Sequence, residues 1–87
     1  MQTITFHGHA GEHYTLNISR DGEAMTIQTS DGSATLPGED EAANWIESRV
    51  AAHMNRPGRI IIRERGPGVT IAALQRYGVP ISWVDQS

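Results

Sequence analysis

A chain of 87 residues with a formal net charge of -3 holds one small domain, 1–87, with one modest core and little room to fold around a large substrate cavity. The absence of cysteine excludes a disulfide framework and a thiolate metal site, and fits a reducing compartment; the cytoplasm is the expected location. No apolar run approaches membrane-spanning length and Met1 to Phe6 alternates instead of forming a leader, so neither membrane nor export is expected.

The charge is unevenly spread. Up to Ser48 the one basic residue is Arg20, against Glu12, Asp21, Glu23, Asp31, Glu39, Asp40, Glu41 and Glu47. From Arg49 onward the balance reverses with Arg49, Arg56, Arg59, Arg63, Arg65 and Arg76 against Glu64 and Asp85. All seven basic residues are arginine, the side chain suited to planar, bidentate contacts.

In chain order, Thr3 to Phe6 and His13 to Ser19 alternate polar with apolar residues, the pattern of half-buried strands. Asp21-Gly22 supplies residues that tolerate positive φ, and Met25 and Ile27 resume the alternation, so these segments form a hairpin. After a second Asp31-Gly32 turn, Thr35 and Leu36 form a short strand or an extended connection, ended by Pro37-Gly38. Glu39, Asp40 and Glu41 place negative charge where a helix dipole favours it, and Ala43, Ile46, Val50 and Met54 recur at helical spacing until Asn55 and Pro57. Trp45 lies off that stripe, at the rim of the core, and His53 on the polar side. The last third reads as strand (Ile60, Ile61, Ile62), Gly66-Pro67-Gly68 turn, helix from Val69 to Tyr77, Gly78 stop and strand from Ile81 to Val84, a βαβ unit. The expected fold is α+β, a mixed sheet in the order βββ(β)αβαβ with an antiparallel N-terminal meander. Its first strand or the short Thr35 segment would be the open edge through which a homodimer could pair.

The run from Arg63 to Gly68, with Ile71 to Leu74, Tyr77-Gly78 and Ile81 to Asp85, resembles the C-terminal part of the ribosomal small-subunit platform protein, number eleven of its series. That family carries a strand, a Gly-Pro-Gly turn, an Ala-rich helix, a Gly stop and a strand ending near Asp. A similar ending occurs in the dinitrogenase cofactor-binding family. Tyr14 to Thr29 also resembles the platform family's central hairpin. The resemblance implies a ribonuclease H-like core and a phosphate seat formed by Arg63, Arg65 and the amides of Gly66 to Gly68. The chain departs from the family in its acidic balance, in having Val69-Thr70 where a second Gly and an Arg belong, and in lacking a basic tail after Asp85.

Two-metal nuclease chemistry needs carboxylates on neighbouring strands. Here the first strand offers Thr3 to Phe6 and the strand after the helix three isoleucines, with Glu47 the one helix acid in play, so no enzymatic activity and no cofactor are expected. His7, His9, Glu12 and His13 form a ligand set that borderline metals such as zinc accept, if the turn brings them together. The string His-Gly-His-Ala-Gly-Glu-His is one residue too long for the metallo-β-lactamase motif that it resembles.

Three functions follow. The first is a small non-enzymatic module that binds a protein partner as adaptor or inhibitor of a larger, nucleic-acid-handling machine, of the kind found among phage accessory proteins such as anti-CRISPR proteins. Its acidic face would comprise Asp21, Glu23, Asp31, Glu39, Asp40, Glu41 and Glu47 with Trp45. The second is nucleic-acid binding, RNA above all, through Arg59, Arg63, Arg65, Gly66, Gly68 and Arg76. The third is metal binding through the histidine segment.

Overall fold

The computed structural model describes residues 1–64 and 71–84. It is α+β, with one six-stranded mixed sheet and two helices. β1 (Gln2–Gly8), β2 (His13–Asp21), β3 (Ala24–Thr29) and β4 (Gly32–Leu36) form an antiparallel meander. α1 (Glu39–His53) follows, then β5 (Pro57–Glu64), the single-turn α2 (Ile71–Leu74), a 3-10 turn (Gln75–Tyr77) and β6 (Ile81–Val84). The order across the sheet is β4-β3-β2-β1-β5-β6.

The expected hairpin and fourth strand are present, with Gly22 at φ 64° in the first turn and Gly32 at φ 153° in the second, conformations that a Cβ disfavours. β5 and β6 pair in parallel, completing the βαβ unit. Of the helix predicted from Val69 to Tyr77, the described part is one α-turn from Ile71 that tightens to 3-10 and stops, as expected, at Gly78, φ 64°, whose N–H returns to the Gln75 carbonyl; Val69 and Thr70 lie outside the described residues. Arg65, Gly66, Gly68 and the turn between them lie outside the described residues.

One expectation needs correction. The first strand is not an edge: β1 lies between β2 and β5, antiparallel to both, with Ile4 and Phe6 fully buried. Its alternation reports one buried face and says nothing of how many neighbours its backbone has.

Both helices pack on the same face of the sheet. Ile4 and Phe6, Tyr14, Leu16 and Ile18, Met25 and Ile27, and Ile60 and Ile62 meet Ala42, Ile46, Val50 and Met54 of the helical side, with Leu74 from α2. Trp45 packs half-buried at the rim, as its spacing predicts, beneath the Arg49 guanidinium at 5.1 Å. No described element covers the opposite face. Among the described residues no helix is long and apolar enough to cross a membrane.

Candidate nucleic-acid interface

Pleating assigns the open face. Because Ile4, Phe6, Ile60 and Ile62 point to the core, the intervening Thr3, Thr5 and His7 of β1 and Arg59, Ile61 and Arg63 of β5 point the other way. The register aligns these in rows across three strands: His13–His7–Arg59, Thr15–Thr5–Ile61 and Asn17–Thr3–Arg63. Hydroxyl and amide pairs tie neighbouring strands together on this face, with Thr3 Oγ1 donating to Asn17 Oδ1 at 2.9 Å and Thr5 and Thr15 sharing a bond of 3.2 Å between β1 and β2, and Thr26 and Thr35 one of 3.3 Å between β3 and β4.

Arg59 and Arg63 are four residues apart, so their Cα atoms are about 13 Å apart along β5. Neither has a carboxylate partner among the described residues. The one carboxylate on a described open-face strand position is Asp21, at the end of β2, four residues and about 13 Å along the strand beyond the Asn17–Thr3–Arg63 row and two strands away from Arg63. His7 and His13 face each other with ring centroids 6.4 Å apart. Partial burial, helped by Arg59, His13 and Arg63, holds the His7 imidazole below its usual value, so at neutral pH it presents an uncharged ring.

The other predicted residues are divided among several places. Glu23, Glu39, Asp40 and Glu41 line one depression of about 530 Å³, where the β2–β3 turn meets the start of α1, and Arg20 enters it to approach Glu39 at 3.6 Å. Asp21 adjoins that turn. Glu47 and Arg76 pair at 3.0 Å on the helical side, where Arg76 also donates to Asn44 Oδ1 at 3.0 Å. Arg76 is thus on the opposite side of the sheet from Arg59 and Arg63.

Asp31 lies elsewhere and forms a cluster that sequence reading missed. Tyr14 Oη donates to its Oδ1 at 2.9 Å, Thr29 Oγ1 also reaches Oδ1, and His53 Nε2 is 3.0 Å from Oδ2 while its ring stacks on Tyr14 at 4.3 Å. Arg49 approaches the same carboxylate at 3.8 Å. The bonds from Thr29, His53 and Tyr14 hold Asp31 far below the ordinary carboxylate range. His53, read from sequence as a plain surface residue, closes the cluster from the end of α1. The available signal was weak: an Asp two residues from a Thr is ordinary turn chemistry.

The histidine segment does not converge. His7 and His13 are on the open face, His9 turns back against Gly58, and Glu12 caps its own turn by accepting from the Ala10 N–H at 2.8 Å. Among the described residues no three His, Cys, Asp or Glu side chains are grouped to hold a metal ion.

No protein family, no curated protein and no solved structure matches the chain. Site geometry is therefore the ground for any functional reading.

Proposed function

We propose that the open sheet face binds single-stranded nucleic acid, RNA or DNA. The observation that carries this reading is the pair Arg59 and Arg63 on an uncovered face whose one described strand carboxylate, Asp21, lies two strands away from Arg63 and beyond its row, whereas Arg20, Arg49 and Arg76 are each engaged with an acid and Arg56 borders a depression on the helical side. Phosphates would bond the two guanidiniums. Bases would lie across the strands, stacking on the His7 and His13 rings and bonding Thr15 and Asn17, whose oxygens retain free lone pairs. A broad sheet cannot enter a duplex groove as a helix does, which favours the unpaired strand. The resemblance to the ribosomal platform family and the ribonuclease H-like core adds only its βαβ ending to this reading, since the residues of its phosphate seat other than Arg63 lie outside the described ones.

With two phosphate contacts, log affinity should fall against log salt with a slope of about −1.4. Fluorescence anisotropy with labelled single-stranded oligonucleotides at low salt tests this. Arg59→Ala with Arg63→Ala should abolish most of the slope and binding, and unchanged affinity in that variant rejects the interface.

A second reading, protein binding by an adaptor or inhibitor of anti-CRISPR type, draws on the depression shared by Glu23, Asp40 and Glu41. It predicts that a basic partner is lost on Asp40→Asn with Glu41→Gln and is indifferent to Arg59 and Arg63. The neutralisation of Glu47, Asp31 and Glu39 by nearby arginines places it second.

A further inference from the structure

β6 ends the sheet on the side opposite β4, and among the described residues it pairs with β5 alone. Its sequence, Ile81-Ser82-Trp83-Val84, contains no charge, the usual device by which an edge strand repels a copy of itself. Trp83 is 51% exposed and Val84 39%; with Met1 they are the large apolar side chains left exposed among the described residues. β4, the other edge, presents Ser33 and Thr35 to solvent and would bury little apolar surface by pairing.

The backbone of β6 narrows what could pair there. The Ile60 N–H donates to the Pro80 carbonyl at 2.9 Å, so in the parallel register the backbone polar groups of Pro80, Ser82 and Val84 turn toward β5 and those of Ile81 and Trp83 turn outward. Pro80 lacks an N–H, and no outward bond needs one there. A second copy placed antiparallel about a two-fold axis normal to the sheet keeps helices with helices and open face with open face, so opposed residues must share a face. With the axis at Ser82, Ile81 opposes Trp83 of the other copy, and the reverse. Each such pair exchanges two main-chain bonds, four in all, and each Trp83 covers an Ile81. Ser82 then opposes its own mate as a non-hydrogen-bonded pair, with Cα atoms about 4.5 Å apart.

We propose that two copies of the chain pair through β6 in this register. The dimer is independent of nucleic-acid binding. It would also carry both copies' Arg59 and Arg63 onto one continuous face, with the two β5 strands three strand spacings, about 14 Å, apart.

Because the chain has no cysteine, single-cysteine variants read the register directly. Ser82→Cys, Trp83→Cys and Thr35→Cys are each exposed to oxidised glutathione at dilute protein and followed on a non-reducing gel. Ser82→Cys should form a covalent dimer at least about tenfold faster than the other two, because only there do the paired Cα atoms fall within disulfide range. In sedimentation equilibrium the unmodified chain should show a weak, concentration-dependent dimer that Trp83→Lys removes, with the circular dichroism of the variant unchanged. Equal rates for Ser82→Cys and Thr35→Cys, faster cross-linking of Trp83→Cys, or a monomer at every concentration would each overturn the proposal. An edge that instead takes an extended peptide of another protein gives the first of these results. Oligonucleotide binding is measured separately, so its loss leaves the dimer standing and the reverse.

Discussion

Two side chains show how the environment of a single group decides its contribution. The Tyr77 ring packs edge-on against Phe6 at 5.1 Å while its hydroxyl is buried with no partner among the described residues, and burial, with Glu47 nearby, pushes its pKa up to about 12. A buried, unmet hydroxyl costs about 1–3 kcal/mol, so Tyr77→Phe should keep the ring contact and leave the thermal midpoint unchanged or raised. A loss of more than about 1 kcal/mol in denaturant titration would show that the hydroxyl is bonded after all. Asp31 is the opposite case, a carboxylate accepting from Thr29, His53 and Tyr14. Its folded pKa is depressed, so the stability it contributes is complete above the unfolded value of about 3.9 and is lost only as pH falls through the lower folded value. The difference in unfolding midpoint between the native chain and Asp31→Asn should therefore be constant near neutrality and close only in strong acid. A difference that closes well above pH ~4 would contradict the bonding described.

Among the elements, α1 begins with less than its sequence could provide. Gly38 is the N-cap, its φ of −159° is open to any residue, and no side chain caps the first turn, although Glu39, Asp40 and Glu41 complement the dipole. Glu41 stands three residues on, at the position of a capping-box acid, and its carboxyl end is the only group among the described residues near the space a Cβ at 38 would take. Gly38→Ser should complete the box and raise stability by a few tenths of a kcal/mol, about 1–2 °C in the thermal midpoint; a lowered midpoint would mean that Glu41 cannot move aside. Elements of this kind were legible in sequence because their signals are local: alternation in β1 to β3, the glycines at 22 and 32, and the Ala43–Ile46–Val50–Met54 stripe. The open face was half legible, since Arg59, Ile61 and Arg63 share a parity opposite to Ile60 and Ile62. What that face lies beside was not, because the register His13–His7–Arg59 joins strands far apart in the chain. The same reason hid the central place of β1 and the meeting of Asp31 with His53, which depend on how α1 crosses the sheet.

At the scale of the molecule, the pairing of β1 with β5 brings Phe6 to Ile60, about 54 residues apart, and joins the N-terminal meander to the βαβ unit. Such a contact is entropically late and structurally central, so the amides of β1 should exchange with solvent only through global unfolding. The two edges should be less protected, but not alike. In β6 the Ser82 and Val84 N–H groups face β5, while those of Ile81 and Trp83 face outward and should exchange at rates near those of free peptide in dilute solution. Raising the protein concentration should slow Ile81 and Trp83 together if a second copy covers them, and leave the outward amides of β4 unaffected. Saturating oligonucleotide at fixed protein concentration should instead change the environments of His7, His13, Arg59 and Arg63 across the sheet. A single exchange and chemical-shift series thus separates the two surfaces: protection confined to alternate residues of β6 reports strand pairing, and shifts confined to the open-face rows report a bound strand.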